Sequence, residues 1–216
     1  MDDAFGLDLI AMTTIPTALA DTPSPNMRTI DHPGMRWHSF RWVAVNDNVM
    51  GGASEGGATL VATQPPEFGP EAGWLRFAGC VSLRNNGGFA SIRLPVNGGA
   101  WMTERMTGAN ALSVSVRGDG KIYRLIAQTE FQQHAAGGLY QAAFLTQENS
   151  TGVAMPGMTE RIVLPLTSFQ ASYRGRPLPA APGLRAEDIR VIGFLIGDKQ
   201  AGPFELRINT IELDCT

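Results

Sequence analysis

The segment Gly52-Ala53-Ser54-Glu55-Gly56 has the G-x-S-x-G spacing that presents a nucleophilic serine in many hydrolases. In those enzymes the serine lies on a tight turn between a strand and a helix, within reach of a histidine base. Here residues 57–63 begin with one glycine and continue with β-branched side chains, which are typical of a strand rather than a helix, and His134 is the only histidine downstream. We therefore interpret the segment as a glycine-rich loop and predict no catalytic residue and no enzymatic activity.

Carboxylates beside turn-forming residues offer a second kind of chemistry. A glycosidase needs two facing carboxyl groups at a defined separation, and the candidates are Asp47, Glu55, Asp119, Glu130 and Asp198. Asp47, Asp119 and Asp198 each adjoin glycine or asparagine. In that context aspartate bonds to the nearby backbone and stabilises a turn. We favour this structural role over catalysis.

No residue spacing indicates a bound metal or cofactor. Calcium at the aspartate-bearing loops is the alternative, but the D-x-D-x-D-G pattern of a calcium loop is absent. His32, His38 and His134 lack the spacing of a zinc site. Cys80 and Cys215 are expected to be reduced thiols, with one bridge in an exported protein as the alternative. We predict no metal and no cofactor.

The composition is that of a globular, mildly acidic protein. Of 216 residues, 44% are apolar and 17% are charged, which suits one well-filled core. The net charge of −3, without a basic run, argues against nucleic-acid binding. No stretch approaches the ~20 apolar residues of a membrane span. Residues 2–8 carry aspartates where a secretion signal carries cations, so a cytoplasmic location is expected and export is less favoured.

Alternation of apolar and polar residues predicts strands along most of the chain. The plainest case is Leu112-Ser113-Val114-Ser115-Val116-Arg117. In the last predicted strand the apolar phase shifts between Ile208 and Ile211, which a bulge near Asn209 would explain. The other predicted strands cover residues 40–45, 59–63, 74–81, 90–94, 122–128, 139–145, 161–164, 191–196 and 204–213.

About ten strands and very little helix predict an all-β fold of two packed antiparallel sheets. Short helical turns are expected only near residues 103–109 and 183–188. Residues 1–35 contain several prolines and no sustained period, so we predict a weakly ordered tail before a domain at 36–216. Aromatic side chains are expected to fill the core rather than stack on sugar rings. They include Trp37, Trp42, Trp74, Trp101, Tyr123 and Tyr140.

Several segments, in order along residues 37–214, resemble the complex I intermediate-associated protein 30 family. Each is weakly diagnostic by itself, and the ordered set is specific. The segments are Val45-Asn46-Asp47-Asn48-Val49-Met50-Gly51-Gly52, Asn85-Asn86-Gly87-Gly88-Phe89-Ala90-Ser91-Ile92-Arg93, Val116-Arg117-Gly118-Asp119-Gly120, Tyr140-Gln141-Ala142-Ala143-Phe144, and Ile192 through Phe204.

The resemblance implies a galactose-binding-like jelly-roll β-sandwich. It also implies a non-enzymatic, chaperone-like scaffold that binds a protein and aids assembly of respiratory complex I (NADH:ubiquinone oxidoreductase) or another membrane-associated complex. A carbohydrate-binding module of the same fold is the alternative, because fold alone does not decide function. The chain departs from the family pattern at 147–159, and its acidic first residues suggest a bacterial-type member. Attachment to the inner face of a membrane through a partner would follow.

Polar loop residues are the candidates for contact with a partner or ligand. They are Asn46, Asp47, Asn48, Asn85, Asn86, Arg117, Asp119, Tyr140, Gln141, Asp198 and Lys199. Glycines expected to shape the loops are Gly51, Gly52, Gly87, Gly88, Gly118 and Gly120. We expect residues 85–88 to form a hairpin turn. We also expect Gly51→Val or Gly52→Val to destabilise the fold more than Ser54→Ala.

Overall fold

The computed structural model describes residues 27–29, 41–62, 73–96, 106–129, 138–147, 159–173 and 175–215. This part of the chain forms thirteen strands in two antiparallel sheets, and it confirms the predicted all-β sandwich. The strands are β1 (Met27–Thr29), β2 (Val43–Ala44), β3 (Glu55–Ala62), β4 (Gly73–Val81), β5 (Ala90–Pro95), β6 (Ala111–Arg117), β7 (Ile122–Thr129), β8 (Gly138–Leu145), β9 (Glu160–Pro165), β10 (Gln170–Tyr173), β11 (Arg176–Pro177), β12 (Ile189–Ile196) and β13 (Gly202–Asp214).

Short 3₁₀ turns punctuate the strands. They span Asp47–Met50, Arg84–Asn86, Leu166–Ser168 and Ala186–Asp188. The last lies inside the turn predicted at 183–188. The other predicted turn, at 103–109, lies partly outside the described residues. So does most of the tail predicted at 1–35, although β1 within it pairs with β13; the division into tail and domain stays a prediction.

The six-stranded sheet has the order β3-β4-β13-β6-β9, with β1 also paired to β13. β13 is its longest strand and contacts β4 through its first half and β6 through its second. The register with β6 shifts between Ile208 and Thr210, which confirms the irregularity expected near Asn209. The shift returns Ile211 and Leu213 to the core after Ile208.

The seven-stranded sheet has the order β11-β10-β8-β7-β12-β5-β2. Its strands β5, β7, β8 and β12 match predicted segments closely. The sequence did not predict β10 and β11, because they are short and largely polar and β11 ends in a proline. β3 begins at Glu55 rather than 59, because Gly56 and Gly57 lie within the strand.

The core lies between the two sheets. Alternate residues face it, as Val114 and Val116 do from β6 and Leu125 does from β7, each fully buried. Edge-to-face ring contacts join Phe77 and Phe204 across 4.8 Å between ring centroids, and both rings approach Tyr123.

Three of the four described residues among the predicted core aromatics take the places expected, whereas Trp74 is half-buried outside the core, under the Arg207 guanidinium. Tyr123 and Tyr140 are buried, and Trp42 packs partly buried against the cluster, with its ring 6.3 Å from that of Phe194. Trp37 and Trp101 lie outside the described residues.

One end of the sandwich, which we call the loop end, gathers the connections that join the two sheets. The registers place the ends of β2, β4, β6, β8 and β12 there, together with the starts of the strands that follow each of them. Each of these connections crosses from one sheet to the other. The prediction that residues 85–88 close a hairpin is therefore wrong. These residues lie in the connection that links β4 of one sheet to β5 of the other.

Candidate binding site at the loop end

Asp47 is the centre of the loop end. It starts the 3₁₀ turn after β2 and is fully buried. Its carboxylate accepts hydrogen bonds from the Ser54 amide at 2.8 Å and hydroxyl at 2.6 Å, from the Gly88 amide at 2.5 Å and from the Phe89 amide at 3.3 Å. The connection between β2 and β3 is thereby fixed to the one between β4 and β5. Asp47 was predicted to contact a partner, but the structure places it out of reach of one.

The pKa of Asp47 follows from these contacts. Burial opposes ionisation and would raise the pKa, but the Ser54 hydroxyl and the Gly88, Ser54 and Phe89 amides all stabilise the anion. The hydrogen bonds prevail, and the pKa of Asp47 lies below its ordinary value of 3.8. Asp47 is therefore a buried anion at neutral pH.

Two glycines make room for this carboxylate. A Cβ at Gly52 would lie 2.3 Å from Cγ of Asp47, and one at Gly87 would lie 2.5 Å from its Oδ2. Neither position accepts a side chain unless the carboxylate moves. Gly51 is required for its backbone conformation and not for space. Its φ of +87° is one that glycine adopts readily, and a Cβ there would meet no atom within 4 Å.

Ser54 has a structural role that the motif does not suggest. Its side chain is buried, it donates to Asp47, and its oxygen accepts from the Ser82 amide at 2.9 Å. β3 begins at the next residue, so no helix follows the serine as a nucleophile elbow requires. The structure agrees with the loop interpretation and gives Ser54 the task of joining two connections.

The asparagines of the signature segments also act on the backbone. The Asn46 side chain donates to the Gly56 carbonyl at 3.0 Å, and that of Asn85 donates to the Gly51 carbonyl at 3.1 Å. Asn85 and Asn86 both have positive φ, at 56° and 57°, which asparagine tolerates better than most residues. The side chains of Asn48, Asn85 and Asn86 lie at the surface.

Three aliphatic side chains of the loop end are exposed to solvent. Val49 is 68% exposed, Met50 58% and Leu83 45%. We call these three residues the aliphatic tip. They lie beside the hydrogen bonds that join the two connections. Met50 precedes Gly51, whose carbonyl accepts from Asn85, and Leu83 follows Ser82, whose amide donates to Ser54. Sequence reasoning missed them as contacts, although apolar residues inside a polar loop have no strand face on which to be buried.

Asp119 organises the connection between β6 and β7. It accepts from the Tyr123 hydroxyl at 3.0 Å and the Glu205 amide at 3.0 Å, and it pairs with the Lys121 ammonium at 3.2 Å. Burial, together with the charge and hydrogen bond of Asp119, raises the pKa of Tyr123 far above its ordinary value. These bonds occupy Asp119 internally, while Arg117 lies half-buried at the end of β6.

Asp198 and Lys199 form the tight turn between β12 and β13. Both have positive φ, at 55° and 60°. The Asp198 carboxylate makes a bidentate pair with Arg124, whose Nη2 lies 2.7 and 2.8 Å from the two oxygens. The pair is partly exposed, so it contributes little to stability. Lys199 is exposed and available for contact.

Lys199→Gly should stabilise the protein. Consecutive residues at positive φ favour Asp-Gly or Asn-Gly, and lysine in this region is strained by up to ~1–2 kcal/mol. Part of this gain is offset because glycine raises the conformational entropy of the unfolded chain. We therefore expect a net increase of about 0.5–1 kcal/mol in the free energy of unfolding. Urea denaturation measures it, with Lys199→Ala as the control that keeps the strain. A decrease for the glycine variant would contradict the assigned turn.

Tyr140 and Gln141 do not belong to this end. Tyr140 is 2% exposed, and its hydroxyl donates to the Pro182 carbonyl at 2.7 Å. Gln141 faces the opposite way from β8 and donates to the Ser172 hydroxyl at 2.9 Å. Tyr140 is thus a core residue, and the structure does not bring either residue to the other candidates.

Among the described residues, no three His, Cys, Asp or Glu side chains are grouped as metal ligands would be. Cys80 is exposed, Cys215 is half-buried, and neither forms a disulfide. The three histidines lie outside the described residues. Within the described ranges there is also no helix with the length and apolar character of a membrane span.

A shallow groove of about 530 Å³ lies on the outer face of the six-stranded sheet beside the loop end. Ala78 and Gly79 are among its lining residues, and so are several ion-paired side chains. Glu205 accepts from Arg76 and Arg207 at 2.7 Å each, and the Arg207 guanidinium covers the Trp74 ring at 5.1 Å. Burial opposes ionisation of Glu205, but the two arginines prevail and lower its pKa.

Solved structures share the fold at low sequence identity. The family 11 carbohydrate-binding module of a cellulosomal cellulase of Clostridium thermocellum is 12% identical, covers 89% of this chain and 96% of its own, and has a TM-score of 0.59. The same kind of module in complex with a β-1,3-1,4-mixed-linked tetrasaccharide gives 13% identity, coverage of 89% and 97%, and a TM-score of 0.58. The likeness establishes a sandwich of the galactose-binding-like type, as predicted.

Sequence comparison gives a more specific result. Residues 32–208 match the profile of the family described as complex I intermediate-associated protein 30. No curated protein matches the chain. The profile match covers most of the chain, including the whole of the loop end.

Proposed function

Because this chain belongs to the complex I intermediate-associated protein 30 family, we propose that it is a non-enzymatic assembly factor that binds a protein, an intermediate of respiratory complex I. The observation that carries the proposal is the aliphatic tip, which the Asp47 hydrogen bonds hold in one shape. A site already ordered before contact loses little conformational entropy when the partner binds. We place this activity in the cytoplasm, at the inner face of the membrane through the partner.

The chemistry of the tip suits a protein partner. Val49, Met50 and Leu83 bring exposed apolar area, which gains free energy when a partner removes it from water. Methionine adapts to the shape of the surface that it meets. The exposed Asn48, Asn85 and Asn86 around the tip supply hydrogen bonds of the kind found at the rim of an interface.

Carbohydrate binding is the second candidate, and the groove over Ala78 and Gly79 is the observation in its favour. Its ion-paired walls offer donors and acceptors for sugar hydroxyls. Sugar recognition also draws on open aromatic faces, and here the Trp74 ring is covered by Arg207. Protein binding therefore has the stronger support. A glycan array separates the two, since hits abolished by Arg76→Ala would favour the groove.

The test is affinity purification from the native host after cross-linking in cells. We expect subunits of NADH:ubiquinone oxidoreductase to be enriched with the native protein. Recovery should fall by about tenfold in a variant carrying Val49→Ser and Met50→Ser, because such contacts concentrate binding energy in a few residues. Leu145→Ser, at a side chain 48% exposed on β8, is the matched control and should keep full recovery.

Two outcomes would contradict the proposal. One is that no subunit of that enzyme is enriched under mild conditions. The other is equal recovery with the native protein and the tip variant, which would show that the tip is not the contact. Thermal unfolding of both variants establishes that the fold is intact, as the high exposure of Val49 and Met50 leads us to expect.

A further inference from the structure

β3 is the one long sheet edge in the described part of the chain that carries no proline, no lysine and no bulge, although the Asn46 side chain occupies its first outward carbonyl at Gly56. The two sheets end in β3, β9, β11 and β2, and the three-residue β1, which pairs only with β13, adds a short further edge. β2 and β11 are two residues long, and β9 begins with Glu160-Arg161 and ends at a proline. β3 has eight residues, no proline and no lysine, and Glu55 is its only charge. Soluble proteins usually blunt an edge of this length.

The direction of the backbone groups along β3 can be derived from two contacts. The Glu55 carbonyl faces β4, since a Cβ on Gly79 would lie 1.9 Å from that oxygen. The Gly56 carbonyl faces away from β4, where the Asn46 side chain bonds to it. A strand residue points its N–H and C=O to the same side, and the side alternates along the strand. Ala58 and Leu60 therefore present both groups to the open edge.

Apolar side chains surround this edge. Leu60 is 41% exposed, and Val43 on the neighbouring β2 is 44% exposed. The aliphatic tip belongs to the connections that enter β3 and leave β4. Within the described residues, only Leu145 is a large exposed apolar side chain outside this stretch of the chain. The edge thus offers backbone hydrogen bonds beside an apolar surface.

Glu55 gives the edge an electrostatic polarity. Its side chain is exposed at the start of β3, and in the described part of the chain its carboxylate has neither an ion pair nor a hydrogen bond. A cation brought beside it by a bound strand would complete a pair.

We propose that β3 receives an extended segment of a partner polypeptide as an added strand, with apolar side chains against Leu60 and a Lys or Arg beside Glu55. A row of free N–H and C=O groups is complemented best by another extended backbone. Resting on the proposed function, the partner is an unassembled polypeptide whose segment has not yet found its neighbours in the finished complex.

The probe is a capped synthetic peptide, Lys-Val-Thr-Val-Thr-Val-Thr. Its lysine is the cation for Glu55, and its alternate valines are the apolar side chains for Leu60. Amide exchange measured by NMR should show that the peptide protects Ala58 and Leu60 and leaves Gly57 and Thr59 unchanged, because the latter already bond to β4. Leu60→Lys should weaken binding about tenfold or more, since lysine blunts an edge and repels the probe. Leu145→Lys, the matched control, should bind like the native protein.

A charge exchange tests the role of Glu55. Glu55→Lys should weaken binding of the Lys peptide roughly two- to fivefold and strengthen binding of a Glu-led peptide by a similar factor, which is the range of an exposed pair. Leu60→Pro, which removes the outward N–H, gives a second variant whose folding is checked by its melting transition.

Several results would overturn the inference. No protection of Ala58 and Leu60 at about 1 mM peptide would do so, as would binding that Leu60→Lys and Leu60→Pro leave unchanged. A dimer in sedimentation without peptide, lost in Leu60→Lys, would give the edge to a second copy of this chain instead. Peptide binding that persists while the native-host purification recovers no complex I subunit would separate failure of the proposed function from failure of this site.

Discussion

Asp47→Asn is expected to remove about 2–4 kcal/mol from the free energy of unfolding, a large share of the stability of a typical domain. The carboxylate accepts hydrogen bonds from three backbone amides and one hydroxyl. An amide side chain of the same shape would turn an N–H toward some of these donors and leave them unpaired in a buried place. Urea denaturation measures the loss.

Asp198→Asn is the matched control for this change. It alters an aspartate of the same loop end whose carboxylate is partly exposed, so the loss should stay below about 1 kcal/mol. If the two variants were destabilised equally, Asp47 would not be the centre of the loop end.

The dependence on pH gives an independent check on Asp47. The pKa of Asp47 is lower in the folded protein than its ordinary value of 3.8. The contribution of the Asp47 anion to the free energy of unfolding is therefore complete above pH 3.8 and is lost as the pH falls through the lowered folded pKa. The difference in stability between the native protein and Asp47→Asn should therefore be constant near neutrality and narrow in acid. A difference that stayed constant through the acid range would contradict the assigned anion.

Gly52→Ala is the second change with a large expected effect, about 2–3 kcal/mol of destabilisation. The added methyl carbon would lie 2.3 Å from Cγ and 2.4 Å from Oδ1 of Asp47. The carboxylate cannot yield cheaply, because its hydrogen bonds hold it. Chemical denaturation and the melting temperature both report the change.

Gly57→Ala is the control for the methyl group itself. A Cβ at Gly57, in β3, meets no atom within 4 Å, so its effect should lie within about 0.5 kcal/mol of zero. Ser54→Ala should be intermediate, with a loss of about 1–2 kcal/mol in the free energy of unfolding, because it leaves the Ser82 amide without its acceptor. Equal stability for Gly52→Ala and Gly57→Ala would refute the close contact at Gly52.

The fold could be predicted because strands leave a local signal. Alternation at β6 and the phase shift at Asn209 are visible within a few residues, and both correspond to what the structure contains. Which sheet a strand joins is not local information. The segment at 85–88 was therefore mistaken for a hairpin turn, since Asn-Gly favours reversal whether the next strand pairs with the last one or crosses to the other sheet.

The site was only partly predictable for a related reason. Asp47 lies among asparagines and glycines, a context typical of an exposed turn. The backbone amides of Gly88 and Phe89, which donate hydrogen bonds to its carboxylate, lie 41 and 42 residues further along the chain. No pattern around Asp47 indicates them. Apart from Tyr140 and Gln141, the residues predicted from the sequence lie in segments that meet at the loop end. The sequence did not distinguish the side chains that hold the loops from those that face outward.

The place of β13 in the six-stranded sheet affects how the protein folds during synthesis. β13 comes last of the thirteen strands along the chain, yet it lies between β4 and β6. Until it leaves the ribosome, β3 with β4 and β6 with β9 are separate ribbons, each with an unpaired flank. Pairing between strands that are far apart in sequence is slow, and the intermediates that precede it are prone to aggregation. β13 therefore completes the six-stranded sheet only after the other twelve described strands have been synthesised.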